Sequence, residues 1–256
     1  MQLCIFEDKR TSNFFPLTYS RPVYDLLFGF SSLKDKILNA FPEYKVSLHC
    51  RNYLSKVNAL NNPGLNNSID NSECLFINGK VVADNHLLKL FSKKKKRENI
   101  VFVKEDTLIA AYLSGSKLET FIKNQKDEIG LEDFDGLPVE EAEVQTINYI
   151  WDLINLNGKE LIKNFESISA KRKKKNQKKI AGEVYDGVHL VNKKEIIIEK
   201  GAVVKPGVVI DASNGPVFID KGAEIFPNSV IEGPVYIGES AKIKSGAVVY
   251  ENTTIG

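Results

Sequence analysis

Cysteine is scarce. Cys4, Cys50 and Cys74 are odd in number, widely spaced and without any Cys-x-x-Cys pattern. That excludes a disulfide framework and a zinc site. Histidine is as sparse: His49, His86 and His189 share no ligand spacing, so each reads as a structural residue. No apolar run approaches the roughly 18 residues of a membrane span. The opening stretch MQLCIFEDKR places Glu7 and Asp8 where a signal sequence needs apolar residues. The expectation is a soluble, cytoplasmic protein with no membrane partner.

What is present is globular material. Of 256 residues, 43% are hydrophobic and 27% charged, enough for a sizeable core and one large or two ordinary domains. Net charge is only +2, but it is uneven: five cations run from Lys93 to Arg97 and seven lie in 171–179. Neither run carries interleaved aromatics or a nucleic-acid motif. Both read as solvated surface, and nucleic acid is not an expected partner.

From Met1 to about Phe165, short apolar runs alternate with amphipathic stretches. Strands are predicted at Leu3–Phe6, Tyr44–Leu48, Glu73–Ile77 and Ile100–Val103. Helices are predicted at Ser31–Phe41, capped by Ser31 or Ser32, and at Tyr53–Leu60, Asn85–Phe91 and Ser114–Asn124. This alternation implies an α/β domain over 1–165, with a mostly parallel sheet and helices on both faces. Ligands of such sheets sit beyond the carboxyl ends of strands. A last helix is expected over Thr146–Phe165, interrupted at Gly158. Residues 166–182 read as a Lys-rich linker kept extended by self-repulsion.

Residues 183–256 carry the strongest pattern. Aliphatics recur every six residues at Ile198, Val204 and Ile210, and the phase slips by three through Ser213-Asn214-Gly215. It resumes at Ile219 and holds at Ile225, Ile231, Ile237, Ile243, Val249 and Ile255. Small residues (Ala202, Ala223, Ser229, Ala241, Ala247) stand two positions before the next aliphatic. Period six fits neither a helix nor a pleated strand; it is the hexapeptide signature of a parallel β-helix. Each flat side sends one aliphatic inward, and the small residue fits near the corner. The repeat is still in phase at Thr253-Thr254-Ile255-Gly256, so the β-helix is expected to be incomplete at its C-terminal edge.

Four stretches carry a resemblance: Phe6-Glu7-Asp8; FFPLTYSRPVYDLLFG at Phe14–Gly29; Leu75-Phe76-Ile77-Asn78-Gly79; and Ile150-Trp151-Asp152-Leu153-Ile154-Asn155. With the hexapeptide region, they resemble a family of sugar nucleotidyltransferases that end in a β-helix. These are relatives of the bifunctional N-acetylglucosamine-1-phosphate uridyltransferase/glucosamine-1-phosphate acetyltransferase. The resemblance covers nearly the whole chain. It implies a Rossmann-like nucleotidyltransferase domain followed by a left-handed parallel β-helix. It implies transfer of a nucleotidyl group from an NTP to a sugar-1-phosphate with release of pyrophosphate, and Mg²⁺ as cofactor. It also implies a homotrimer through the β-helix. Acetyl-CoA enters only if a longer chain completes the β-helix, since no histidine lies within Ile198–Gly256.

The same resemblance implies site residues. Arg21 and Asp152 are the catalytic candidates, Arg21 replacing a lysine as cation. Glu7, Asp8, Arg10, Pro16, Leu17, Thr18, Asn78 and Gly79 are the substrate- and nucleotide-binding candidates, and Asn78 with Asp152 the metal candidates. The family's glycine-rich phosphate loop has no counterpart, because Asp8–Phe15 contains no glycine. Asn78 stands where a metal-binding aspartate is usual. These departures open an alternative: a catalytically degenerate sugar-nucleotide-binding or trimerising scaffold protein. On the residues alone, Pro16-Leu17-Thr18 and Arg21-Pro22 also read as turn-shaping, Arg21 as an ion partner of Asp25, and Trp151 as core.

Overall fold

The computed structural model of the chain describes residues 1–65, 68–69, 72–92 and 98–256. The Lys93–Arg97 run lies outside the described residues. The chain forms two compact units, Met1–Leu26 with Ser32–Ile150, and Leu27–Ser31 with Trp151–Gly256.

The first unit follows from buried alternation. It contains β1 (Gln2–Phe6) and, after a two-stranded ribbon of β2 (Leu27–Phe28) and β3 (Ser31–Ser32), helix α1 (Leu33–Ala40). Then come β4 (Lys45–His49), α2 (Ser55–Asn61), β5 (Glu73–Asn78) and α3 (Asn85–Ser92). β6 (Ile100–Lys104), β7 (Thr107–Ser114), α4 (Gly115–Lys123) and β8 (Val139–Glu141) complete it. The sheet runs β4-β1-β5-β7-β6-β8. β1 is parallel to both β4 and β5. Leu3 and Ile5 feed one core, with Ile37, Leu48 and Ile77, while Cys4 and Phe6 feed the opposite one, with Phe76, Phe121 and Phe134. Burial on both faces is what a central parallel strand requires. Ser32 caps α1 through a reciprocal box: its hydroxyl accepts from the Asp35 amide at 3.1 Å, and the Asp35 carboxylate accepts from the Ser32 amide at 3.2 Å.

Two strands of this sheet, β7 and β8, escaped the sequence pattern. β7 is antiparallel to both β5 and β6, so the sheet is mixed on that side. Leu108 to Leu113 is buried without a break, which erases the alternation that marks a half-buried strand.

The second unit opens with α5 (Ile150–Lys174), whose first residue still belongs to the first unit. Three expectations are corrected here. The helix runs unbroken through Gly158, which is buried: a Cβ there would lie 1.9 Å from Asn252 Oδ1. The glycine permits a close approach rather than a break. The Lys-rich stretch is helical as far as Lys174 instead of extended. Four of its seven cations fall in the last helical turn, where they complement the dipole, and Arg172 pairs with Glu199. Trp151 is 56% exposed, not core.

Beyond α5 the chain makes β9 (Glu183–Val184), β10 (His189–Val191), β11 (Ile196–Ile198), β12 (Val203–Val204), β13 (Val209–Asp211) and β14 (Val217–Ile219). It continues with β15 (Glu224–Ile225), β16 (Val230–Glu232), β17 (Val235–Ile237), β18 (Lys242–Ile243), β19 (Val248–Val249) and β20 (Thr253–Ile255). These visit three four-stranded sheets in strict rotation, every described pairing among them parallel. The arrangement is consistent with a β-helix. The six-residue aliphatics from Ile198 to Val249 are all buried inside it, as are Ala202, Ala223 and Ser229. The outward residues Ile197, Phe218 and Tyr236 of one sheet lie under Leu161 and Phe165 of α5 and under Phe30. Phe30 stacks on Tyr236 at 4.6 Å. Asn157 fixes this layer, accepting from the Gly29 amide at 2.9 Å and donating to Asn252 O at 2.8 Å.

Candidate functional site

The chain leaves β1 to one side, through α1 to β4, and then crosses to β5 on the other side of β1. That reversal makes the carboxyl ends of β1 and β5 a topological switch point, the place where open α/β sheets have their ligand crevice. Asp8 lies two residues past β1, and Asn78 is the last residue of β5.

These two side chains meet. Asn78 donates from Nδ2 to Asp8 Oδ2 and to Leu108 O, both at 2.8 Å. Its Oδ1 accepts from the Lys80 amide at 3.1 Å. The Lys80 side chain is fully buried, with its ammonium 2.8 Å from the same Asp8 Oδ2. No described atom offers this ammonium a well-aligned hydrogen bond, so the ion pair alone holds it. Burial pulls the Lys80 ammonium below the usual lysine range, and Asp8 pushes it partly back. Asp8 Oδ1 accepts from the Arg10 amide at 3.0 Å. Arg10 reaches the opposite rim, pairing with Asp106 and donating to Thr107 Oγ1 at 2.7 Å. Gly79 is fixed by packing: a Cβ would lie 2.8 Å from Tyr24 Cβ and 3.2 Å from Phe6 O.

Beside this cluster, Glu7 is fully buried and acts as an anchor. Its carboxylate accepts from the Val23 amide at 2.8 Å, from Arg51 Nε at 3.1 Å and from Arg51 Nη2 at 3.1 Å. Arg51 also donates to Thr18 O at 2.7 Å. Thr18 is buried, and its hydroxyl donates to Thr11 O at 3.1 Å. Glu7 and Thr18 therefore shape the 14–23 loop from within. Pro16, Leu17 and Arg21 are on its exposed side. Arg21 has no side-chain partner among the described residues; Asp25 pairs instead with Lys34, at 2.6 Å.

Residues Lys9–Phe14 form a 3-10 helix capped by Asp8. The amides of Arg10, Thr11 and Phe15 are engaged by Asp8 Oδ1, Asp8 O and Ser12 O. This segment is no open phosphate cradle. Asp152 stands in the first turn of α5, in the second unit.

A family model described as sugar nucleotidyl transferase matches residues 3–173, more than half of the chain. The chain belongs to the sugar nucleotidyl transferase family. The match takes in the crevice, the 14–23 loop and nearly all of α5. A comparison with curated proteins finds no match.

Sugar nucleotidyl transferases typically use a divalent metal. The residues at this crevice do not suit one. Magnesium prefers several oxygen ligands, carboxylates above all. Here Asn78 turns its NH₂ to Asp8 and its oxygen to a backbone amide, and both oxygens of Asp8 are engaged. The Lys80 ammonium already sits against Asp8. Among the described residues, no group of three or more Asp, Glu, His or Cys is placed so that it could hold a metal ion. The three thiols are no substitute: all are buried, and burial pushes Cys4 up to about 12 and Cys50 up to about 11.

Lys80, Arg51, Asp106 and Thr107 are absent from the sequence-derived candidates. Lys80 had a signal, two residues beyond Asn78 at the same strand end. Arg51 had a weaker one, two residues past β4 beside β1.

Proposed function

We propose that this chain is a sugar-1-phosphate nucleotidyltransferase that binds its NTP and sugar-1-phosphate over the β1/β5 crevice. The observation that carries the reading is the Asp8–Asn78–Lys80 cluster at the switch point of a sheet in this family. In the reaction, a phosphate oxygen of the sugar-1-phosphate attacks the α-phosphorus of the NTP. The new O–P bond forms as the bond to the β-phosphate bridge breaks, and pyrophosphate leaves with the electron pair. No redox partner is needed. Both reactants are anionic, so catalysis is mainly positioning and charge neutralisation. Arg21, exposed on the loop, is the cation that meets phosphate. Lys80 sets a fixed positive charge beneath the crevice. Glu7, Thr18 and Arg51 are positioning residues that hold the loop, and Arg10 closes the rim. Pro16, Leu17 and Gly79 shape the surface. Asn78, whose amide is fully engaged, is not proposed as a metal ligand, and Asp152 stays a candidate carboxylate.

For the C-terminal part we propose a left-handed β-helix that assembles as a homotrimer, as in the bifunctional uridyltransferase/acetyltransferase that the chain resembles. One of its three sides is occupied by α5 and Phe30, which leaves the other two for neighbours. Acyl transfer is not proposed, because Ile198–Gly256 contains no histidine to act as base.

A second reading, sugar-nucleotide binding without transfer, is favoured by the engaged amides of Arg10, Thr11 and Phe15 and the neutralised Asp8 carboxylate. Pyrophosphate release separates the two. UTP, dTTP, GTP, CTP and ATP are scanned against glucose-, glucosamine-, N-acetylglucosamine- and mannose-1-phosphate. Turnover that Arg21→Ala lowers by about a hundredfold supports transfer. No turnover with any pair, alongside measurable nucleotide binding, supports the second reading.

A further inference from the structure

Three large aromatic rings are left in solvent on adjoining segments at the carboxyl ends of β1 and β4. Phe15 is 38% exposed, Tyr19 59% and Tyr53 60%. Single exposed apolar residues need no explanation, but grouped ones mark binding surfaces. These are grouped. Phe15 and Tyr19 stack with centroids 4.3 Å apart and planes at 25°. The Arg51 guanidinium carbon lies 5.9 Å from the Phe15 centroid and 5.3 Å from that of Tyr53. The four flat groups make one strip, Tyr19–Phe15–Arg51–Tyr53.

The strip is held in place from below. Arg51 is tied to both carboxylate oxygens of Glu7 and to Thr18 O, and donates to Tyr53 Oη at 2.8 Å. Its guanidinium cannot swing without breaking a buried ion pair. Phe15 and Tyr53 therefore rest against a fixed plane, and rings ordered in advance lose little freedom on binding. Arg21, two residues from Tyr19, supplies an exposed positive charge on the same loop.

We propose that this strip is the platform on which the base of the nucleotide stacks, with Tyr19 and Tyr53 as its exposed faces. The proposal rests on the nucleotide reading above and goes beyond it by assigning the base. A flat π-system flanked by phosphate matches rings flanked by a cation. Stacking of this kind tolerates any base, because every base has a π-face. The choice among NTPs is therefore not made by the strip itself.

Titration calorimetry tests it on the full chain, with the five NTPs, tripolyphosphate and the sugar-1-phosphates as separate titrants. Tyr19→Ala and Tyr53→Ala alter exposed side chains, and circular dichroism melts check that both variants fold. At least one of the two variants, the one at the end where the base stacks, is expected to weaken NTP binding about fivefold or more, with the affinity for tripolyphosphate unchanged. NTP binding that neither variant weakens overturns the platform and leaves the transferase reading standing. Equal losses for tripolyphosphate overturn it in favour of a displaced loop. Loss confined to the sugar-1-phosphate overturns it in favour of a sugar platform. If the unaltered protein binds no NTP, the transferase reading and the platform fall together.

Discussion

Replacing Arg51 with methionine keeps an unbranched apolar stem and removes the guanidinium and its charge. The side chains of Arg51 and Glu7 are 7% and 0% exposed, so the carboxylate left behind has no access to water. Deleting one member of a buried ion pair costs about 3–5 kcal/mol. Glu7 retains the amides of Val23 at 2.8 Å and Arg51 at 3.2 Å, which places the expected loss near the lower end. A loss of about 3 kcal/mol is a drop of roughly two orders of magnitude in the folded-to-unfolded ratio. Urea unfolding followed by far-UV circular dichroism reads it directly. The companion is the double variant Glu7→Gln/Arg51→Met, which removes both charges while leaving an acceptor for the Val23 amide. If the uncompensated charge is the cause, the double variant recovers at least half of the loss. A single-variant loss under about 1 kcal/mol, or a double variant no better than the single, refutes the argument.

His49 gives a pH test: burial holds its imidazole below the usual 6.5, and its Nδ1 has no hydrogen-bond partner. Between that lowered value and about 6.5 the unfolded chain binds more protons, so stability is full above this window and falls as pH drops through it. His49→Gln should flatten the slope of the unfolding midpoint against pH there, and an unchanged slope would assign it elsewhere. Gly207 (φ +77°) and Gly246 (φ +73°) both occupy left-handed corners of the stacked sheets. A Cβ on Gly207 would lie 2.2 Å from Asn228 Oδ1, whereas one on Gly246 meets nothing within 4 Å. Gly246→Ala should cost about 1–2 kcal/mol for backbone strain alone. Gly207→Ala should cost measurably more in thermal melts, and equal costs would show that Asn228 simply swings aside.

The C-terminal sheets were legible because a six-residue period leaves no room for another structure, and every aliphatic of that period from Ile198 to Val249 is buried. The phase slip was equally readable. Strands β1, β4 and β5 were found from their apolar runs, since each is flanked by turn or helix residues. β7 was not, although Leu108 to Leu113 is likewise an unbroken apolar run, and β8, whose three residues are all exposed, offers no apolar run at all. The extent of α5 was missed for a different reason. Self-repulsion of 171–179 was weighed, but not the contribution of a tertiary partner, Glu199, to the Arg172 end of the helix. At the site, Glu7, Asp8, Thr18 and Asn78 came from motif resemblance. Lys80 did not, because a lysine after Asn-Gly reads as a solvated turn. Its burial depends on Asp8, which is 72 residues away in the chain and adjacent only once β1 pairs with β5.

The corner at Ser213-Asn214-Gly215 separates chain length from strand register. Val209 pairs with Val230, a step of 21 residues, while Val230 pairs with Val248, a step of 18. Three residues have been absorbed with no change in which side chains point inward. Ser213 and Asn214 are exposed. A flexible loop that doubles in length costs only about 0.6 kcal/mol more to close. The fold can therefore grow outward between Ser213 and Asn214, by a tag, a recognition loop or a whole inserted domain, while the rungs above and below keep their partners.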